Sequence, residues 1–225
     1  MHAKTLIMEY IKKHKSIRKY KEEDISDSLL REILSVAERT QTMGNLQLYS
    51  VVVTRSAEMK QRLAPAHFCQ PMVTSAPVVL TICADFHRTT RWAEERNAQH
   101  GYDNFLSFIN AATDALLYTQ NICNIAEEKG LGYCFLGTTV YQPLTIIDVL
   151  QLPQLVFPIA TITLGWPDEE PALSDRLPLD AVLHSETYAD YSAADIDKFY
   201  TEKEQLAENI HFCEINNKQT LAQVF

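Results

Sequence analysis

Hydrophobic and polar residues follow two different periods along this chain, and the periods separate predicted helices from predicted strands. Spacings of three or four between apolar positions predict helices over 5–13, 26–39, 56–63, 104–129, 143–150 and 195–209, and residues 220–225 also show a helical pattern. Runs rich in β-branched residues predict strands over 49–54, 77–86, 133–136 and 157–166. No repeat, linker or low-complexity run interrupts this order. It predicts one α/β domain over residues 1–225, with a trailing arm over about 190–225.

Three local signals refine this outline. The pattern over 104–129 is apolar nearly all round, which predicts a central helix buried on several sides, and Gly130 after it is typical of a left-handed C-cap. Ser26 is the expected N-cap of the second helix. The polar segment 86–100 carries three arginines and Trp92. It fits a lid over a substrate or a solvated helix, and its polarity favours the helix.

Composition places the chain among ordinary globular proteins, with 46% hydrophobic and 22% charged residues. The net charge of −9 repels phosphate backbones and argues against a nucleic-acid partner. Five widely spaced cysteines without a C-x-x-C pair suggest neither a disulfide framework nor a zinc site. No secretory signal is evident, and the apolar runs are shorter than the ~20 residues of a membrane span. We therefore expect a cytoplasmic protein without a membrane or metal partner.

A basic segment over 12–21 contrasts with this acidic background, because it carries six positive charges in ten residues. Arg18 offers a planar fork and Ser16 a hydroxyl, and both suit a phosphate group. Charge alone favours the plainer interpretation of a solvated surface turn. A nucleic-acid-binding arm is a further alternative, which the acidic remainder of the chain opposes.

Two uncharged segments also have the chemistry of a binding site. Residues 40–47 are rich in amides and hydroxyls, which suit a planar heterocycle, although the segment also fits a simple connection with Gly44 in a left-handed turn. Residues 130–139 hold three of the six glycines. Gly137 at a strand end would let a ligand ring approach the backbone, although a helix cap followed by a strand end explains these glycines equally well. The spacing does not match the dinucleotide-binding fingerprint.

The fourth segment contains an isolated cation. Arg176 is the only lysine or arginine between Lys129 and Lys198. Considered alone, it fits a ligand contact or a surface ion pair with Asp175 or Asp180. The pairs His67 with Cys69 and His211 with Cys213 offer too few ligands for a metal site.

These segments, in this order, resemble the FMN-dependent nitroreductase family over about residues 14–188. Lys-Ser-Ile-Arg at 15–18 is similar to the family's Arg-Ser-Ile-Arg signature, and Gly-Leu-Gly at 130–132 ends a long helix as it does in the family. The branch of NADPH-linked oxygen-insensitive nitroreductases and flavin reductases is resembled by further motifs. These are Leu-Gly-Trp-Pro at 164–167, Arg-Leu-Pro at 176–178, His184 and Tyr188, whereas Asn-Leu-Gln at 45–47 resembles an element of the family as a whole.

The resemblance implies an α/β (α+β) nitroreductase-like fold, with a central, mostly antiparallel sheet flanked by helices. It also implies a homodimer with an exchanged C-terminal arm and active sites at the interface. FMN would be bound tightly and non-covalently, with NADPH or NADH as electron donor. A hydride would pass through flavin N5 to nitroaromatic, quinone or flavin acceptors in a ping-pong cycle. No side chain would be a catalytic residue in its own right.

The resemblance further implies which residues bind the cofactor. The ribityl chain and phosphate would be held by His14, Ser16, Arg18 and Arg176. The ring would be lined by Gln41, Thr42 and Met43, supported by Gln47, and contacted at its pyrimidine edge or ribityl chain by Gln70. A backbone N–H near N5 would come from the segment Leu136, Gly137 and Thr138.

Two departures from the branch leave part of this expectation open. Ser174 stands where the branch has a basic residue, and the region after Tyr191 is acidic where the branch has an arginine-rich loop. The choice between NADPH and NADH is therefore not predicted. A non-catalytic flavin-binding or regulatory protein and a specialised reductive dehalogenase relative stay as alternatives.

Overall fold

The structure is a computed structural model that describes residues 6–99, 101 and 104–225. Residues 5 and 100, which belong to predicted segments, lie outside the described residues. The chain divides into two compact units, the first ending at Ala172 and the second spanning Leu173–Phe225. The sequence places the start of the trailing arm later, at about residue 190.

The first unit contains seven helices and four strands among its described residues. The helices are α1 (Leu6–Lys12), α2 (Asp27–Ala37), α3 (Ala57–Leu63), α4 (Pro71–Ser75), α5 (His87–Glu94), α6 (Phe105–Glu128) and α7 (Pro143–Leu150). The strands are β1 (Tyr49–Thr54), β2 (Val78–Asp85), β3 (Gly132–Leu136) and β4 (Val156–Gly165). Short 3₁₀ turns lie at Met43–Asn45, Ala64–His67 and Gly137–Val140.

The four strands form one antiparallel sheet in the order β1-β2-β4-β3, which confirms the predicted α/β class and sheet. Strand β2 is buried at every position, as its nearly uncharged, β-branched sequence predicts. Strands β1 and β3 form the two opposite edges of the sheet. This order decides which candidate site residues can meet within one chain.

Side chains that alternate along the strands pack into two apolar clusters, one on each face of the sheet. In β4, Ile162 and Leu164 pack in one cluster with residues of α2 and α6. In β3, Cys134 and Leu136 pack in a second cluster with residues of α3, α4 and α7. The sheet therefore lies between two helical layers, and both layers reach the end of β3.

Helix α6 is buried on one side only. Asn104 caps its start by accepting the Ser107 N–H at 3.0 Å, and Gly130 ends it at a φ of +82°, as the sequence predicts. Ala115 and Ile122 lie in the core, whereas apolar side chains on the other side are exposed. These are Phe105, Leu106, Ile109, Leu116 and Leu117. The helix was predicted to be buried on several sides. In a single chain it is buried on one side, and its other apolar side is exposed.

Three local predictions differ from the structure. Helix α4 was not predicted, because five residues are too few to show a helical period. The predicted helix 195–209 is two helices, α8 (Ala193–Glu204) and α9 (Ala207–Ile215), with a break where Asn209 Nδ2 donates to the Lys203 carbonyl at 2.7 Å. Within 220–225 there is one 3₁₀ turn, Leu221–Gln223, in place of the predicted helix.

The second unit is organised around Tyr191. Its hydroxyl donates to the Ala181 carbonyl at 2.8 Å, and its ring packs edge-on against Phe199. His184 stacks on Tyr188 with ring centroids 4.2 Å apart and accepts the Ala189 N–H at Nδ1 at 3.2 Å. Across both units, no described helix combines the length and apolarity needed to cross a membrane.

Candidate active site

The segment that carries Ser16 and Arg18 lies against the free edge of β3. The Ile17 N–H donates to the Tyr133 carbonyl at 2.8 Å. Two glycines make this approach possible. A Cβ on Gly132 would lie 2.6 Å from Ile17 Cγ1, and one on Gly165 would lie 2.7 Å from the Tyr20 ring. The sequence analysis did not connect these glycines to the basic segment, because the contact spans more than a hundred residues.

The positive charges of this segment are partly balanced by residues 168–170. The Lys15 ammonium pairs with the Glu170 carboxylate. The backbone N–H groups of Arg18 and Lys19 donate to Glu169 Oε1 at 2.5 and 3.1 Å. The segment is therefore not a freely solvated turn, because an acidic strip fixes its backbone.

The Arg18 side chain stays exposed and has no ion pair among the described residues. It lies beside the thiol of Cys134 in β3. Burial raises the pKa of that thiol, and the charge and hydrogen bond of the Arg18 guanidinium offset part of the rise. The Ser16 hydroxyl is half-buried and has no hydrogen bond within the described chain. Both groups are available to an anionic ligand at the β3 edge.

His14 is oriented by groups from two elements. Its Nδ1 lies 2.6 Å from Glu127 Oε1 of α6, and its ring stacks on Tyr133 of β3 with centroids 5.0 Å apart. The Tyr133 hydroxyl lies 3.1 Å from the same nitrogen. These contacts engage Nδ1, and the other ring nitrogen has no hydrogen bond within the described residues.

The end of β3 exposes backbone. Leu136 is buried, and the next residue, Gly137, begins a 3₁₀ turn with nothing within 4 Å of the position a Cβ would take. The first N–H groups of such a turn have no partner inside it. The Thr138 side chain is fixed by His67, whose Nδ1 lies 2.9 Å from the threonine Oγ1. The open backbone at Gly137 is therefore followed by a residue whose side chain is fixed by His67.

His67 supports this corner as a neutral side chain. It is fully buried, and burial lowers its pKa to about 4. Its Nε2 has no hydrogen-bond partner among the described residues. Left-handed backbone at Phe68 and Cys69 turns the chain so that the Gln70 N–H donates to the His67 carbonyl at 3.1 Å. Gln70 and Thr138 thus both attach to His67, a role that the sequence analysis missed.

The predicted ring-lining residues lie elsewhere in the chain. Gln41 and Met43 are exposed, and Thr42 and Gln47 are half-buried, in the connection between α2 and β1. Gly44 has the predicted left-handed backbone, with φ +58°. This connection precedes edge strand β1.

The structure therefore separates the predicted residues into two groups. His14, Ser16, Arg18, Gln70 and 136–138 lie around β3, and residues 41–47 precede β1. Two strands lie between these edges, which makes three spacings or about 14 Å. Within the described chain, no hydrogen bond, ion pair or ring contact joins the two groups.

Arg176 lies in the second unit and is exposed. Its Nη1 donates to the Asp175 carbonyl at 2.8 Å. The alternative of a surface ion pair is wrong, because the Asp175 carboxylate pairs with Lys203 at 2.7 Å and that of Asp180 with Lys198 at 3.5 Å. In the part of the chain that the structure describes, the Arg176 guanidinium has no acidic partner.

Other kinds of site find little support in the described residues. They contain no cluster of three metal-binding side chains, and all five cysteines are free. Burial raises the pKa of Cys83 and Cys123 to about 12, which makes both thiols poor nucleophiles. In segment 86–100, α5 agrees with the solvated-helix interpretation, because Arg91 pairs with Glu94 and Glu95 on the helix surface.

The comparisons with known proteins identify the family. The nitroreductase family model matches residues 11–166, and the chain belongs to this family. The predicted family resemblance is thereby confirmed.

Individual relatives agree with this assignment. A Bacillus subtilis FMN reductase [NAD(P)H] is 32% identical over 177 residues, which are 78% of this chain and 71% of the relative. A solved Bacteroides fragilis structure, described provisionally as an oxidoreductase, is 56% identical with a TM-score of 0.95, covering 97% of this chain and 89% of the other. The NfrA1 nitroreductase of B. subtilis is 26% identical with a TM-score of 0.85, covering 95% and 86%.

Proposed function

We propose that this protein is an FMN-dependent oxidoreductase that passes a hydride from NAD(P)H to nitroaromatic, quinone or flavin acceptors. The observation that carries the proposal is the open backbone at Gly137, on the strand whose edge also carries the Arg18 guanidinium, a cation without an ion pair in the described chain. The names of the relatives, an FMN reductase and a nitroreductase, support the same chemistry.

The residues around β3 fit FMN in shape and in charge. Open space above Gly137 admits a flat ring against the backbone, where a side chain would hold it away. Arg18 offers a cation that has no ion pair in the described chain, and Ser16 offers a hydroxyl that has no hydrogen bond there, as a phosphate or ribityl chain requires. His14 would offer its second ring nitrogen to the ligand, since Nδ1 is engaged by Glu127. Arg176 would add a second cation to the phosphate.

Bound FMN would supply the redox chemistry, which is acceptance of a hydride at N5 and its transfer onward. This chain's own residues bind and orient. A backbone N–H at residues 137–138 would donate to the ring edge, with its position fixed by the hydrogen bond between Thr138 and His67. Gln70 would orient the pyrimidine edge. The donor and the acceptor would use one open ring face in turn, which gives a ping-pong cycle.

The site is complete only if a second copy contributes to it. Residues 41–47 precede β1, and the β3 group lies at the opposite edge strand, about 14 Å away across two intervening strands when measured between the strands themselves. We propose that a homodimer brings them together, with the exposed apolar face of α6, which includes Ile109 and Leu116, as part of the interface. The arm over about 190–225 would be exchanged between the copies. We expect this dimer in the cytoplasm.

A visible spectrum tests the proposal directly. The purified protein, supplied with FMN and freed of excess, should be yellow. Under anaerobic conditions NADPH or NADH should bleach it, and 1,4-benzoquinone should restore the colour. A colourless protein that fails to take up FMN contradicts the proposal. A yellow protein that neither nicotinamide bleaches indicates the non-catalytic flavin-binding alternative instead.

Arg18→Ala tests the placement of the cofactor. Removing this cation should weaken FMN binding by about tenfold or more, as expected for a charge-assisted hydrogen bond to phosphate. Quenching of FMN fluorescence on binding measures the dissociation constant. Arg31→Ala is the matched control, because Arg31 is also exposed and lies on α2 away from β3. Equal FMN affinity of the two variants would contradict the assignment.

A further inference from the structure

The loop over residues 42–48 is held in a conformation that most side chains avoid. Three of its residues have left-handed backbone, namely Gly44 at φ +58°, Asn45 at +57° and Gln47 at +47°. Only the first is a glycine, so the other two carry a conformational cost. Such backbone persists where surrounding contacts fix it.

One fixing contact comes from Asp114 of helix α6. Its Oδ1 accepts the Met43 N–H at 2.8 Å and its Oδ2 accepts the Leu48 N–H at 3.2 Å. The carboxylate therefore joins both ends of the loop. The Asp114 side chain belongs to a residue only 1% exposed and has no ion pair among the described residues.

A buried carboxylate without a cation is costly, and backbone donors are what compensate it here. Met43 begins a 3₁₀ turn, whose N-terminal N–H groups are free to be capped. Both carboxylate oxygens of Asp114 therefore bind the loop, although the residue lies on the buried side of α6.

The second contact comes from Arg88 of helix α5. Its guanidinium donates to the carbonyl of Gln47, and Nη1 donates to the carbonyl of Tyr49 at 3.2 Å. The Arg88 N–H donates to Asp85 Oδ1 at 3.1 Å, which fixes the start of α5 at the end of β2. Asp114 therefore accepts hydrogen bonds from N–H groups of the loop, and Arg88 donates hydrogen bonds to carbonyl groups at its end.

We propose that Asp114 and Arg88 are positioning residues that preset the 42–48 loop in the shape with which it lines the FMN site of a second copy. The inference rests on the proposed function, since it assigns a purpose to the loop through that site. A loop that is fixed before binding loses little conformational entropy when FMN arrives. Neither residue touches the cofactor in this account.

Hydrogen exchange and FMN affinity, measured on the same variants, test the proposal. In Asp114→Asn, one of the two N–H groups loses its acceptor, because an amide nitrogen cannot accept, and the other keeps only a neutral acceptor. The amides of Met43 and Leu48 should exchange about tenfold faster in the protein without FMN, and the FMN dissociation constant should rise about tenfold. Glu128→Gln is the control, since it makes the same chemical change at an exposed position of the same helix.

Variants of Arg88 give an independent test of the proposal that does not depend on the folding of Asp114→Asn. Arg88→Met removes both donors to the loop, and Arg88→Lys keeps a single charged donor. FMN affinity should fall in the methionine variant and recover in part in the lysine variant. The ratio of kcat/KM for a bulky and a small quinone should also shift, because a loosened loop changes the ring-lining surface while a merely structural role would not.

The outcomes separate two failures. If wild-type protein does not bind FMN, the proposed function is wrong, whatever the variants show. If wild-type protein binds FMN but Asp114→Asn and Arg88→Met bind it within twofold of wild type, the positioning role is overturned while the proposed function stands. Unchanged exchange at Met43 and Leu48 in Asp114→Asn likewise overturns it.

Discussion

At the scale of single residues, the imidazole of His67 carries the clearest physical signature in the chain. Its burial lowers its pKa to about 4, so the folded chain keeps it neutral where an unfolded chain, with a pKa near 6.5, binds a proton. Stability is therefore greatest above pH 6.5 and falls as the pH drops toward 4. The loss over this range should reach about 3 kcal/mol from this residue.

Urea unfolding at several pH values measures this effect, with His67→Gln as the comparison. Carboxyl groups also titrate in this range, so the informative quantity is the difference between the two proteins. Wild type should lose about 1.4 kcal/mol more per pH unit between pH 6 and 5 than the variant does. Parallel curves would mean that His67 is accessible to protons in the folded chain.

The residues that the sequence identified and those that it missed differ in the range of their contacts. Arg18 stood out as a cation in a short motif, and Arg176 as an isolated cation in an acidic region. His67 and Asp114 gave no such signal, because their meaning comes from partners about seventy residues away, Thr138 and Met43. A single sequence does not encode such pairings in any local pattern.

At the scale of elements, local patterns predicted most boundaries well. Strand β1 and helix α7 have the predicted bounds, because each is a strong period closed by clear end signals. The antiparallel sheet was expected only through the family resemblance, since strand order depends on long-range pairing. The break between α8 and α9 was missed because the helical period continues across it.

The docking of the basic segment on β3 gives an element-scale prediction. Gly132→Ala would place a methyl group 2.6 Å from Ile17 Cγ1, and the segment carrying Ser16 and Arg18 would have to move away. We expect a stability loss of about 1–3 kcal/mol, as for other overpacked sites. FMN affinity should fall as well, because the phosphate ligands move with the segment.

Urea midpoints and FMN titration measure the two effects of Gly132→Ala. Gly101→Ala is the matched control, since nothing lies within 4 Å of its added methyl group. If Gly132→Ala loses stability but binds FMN like wild type, the basic segment does not hold the cofactor.

At the scale of the whole molecule, the separation of the two residue groups is the central fact. Edge strands β1 and β3 cannot meet within one sheet of this order, so under the proposed assignment one chain would hold two incomplete halves of the site. A two-fold dimer joins each half to its complement twice, giving two equivalent sites. The exposed apolar side of α6 is the kind of surface that such an interface covers.

Mixing two damaged variants tests this arrangement. Arg18→Ala damages the β3 half, and Gly44→Val damages the loop half, since a β-branched residue is strained at φ +58°. Each variant alone should bind FMN weakly. In a mixed dimer one site combines both defects and the other has neither. Random mixing makes about half of the dimers mixed, so about one quarter of all sites should regain wild-type affinity.

FMN titration of the two variants, refolded separately and together, measures the recovery. The same quarter of sites should regain bleaching by NADPH, because a complete site needs only one intact half from each chain. Sites built within single chains predict no recovery at all, since every chain in the mixture carries a defect. The fraction of sites that recover therefore distinguishes sites shared between two chains from sites built within one chain, and the natural acceptor need not be known.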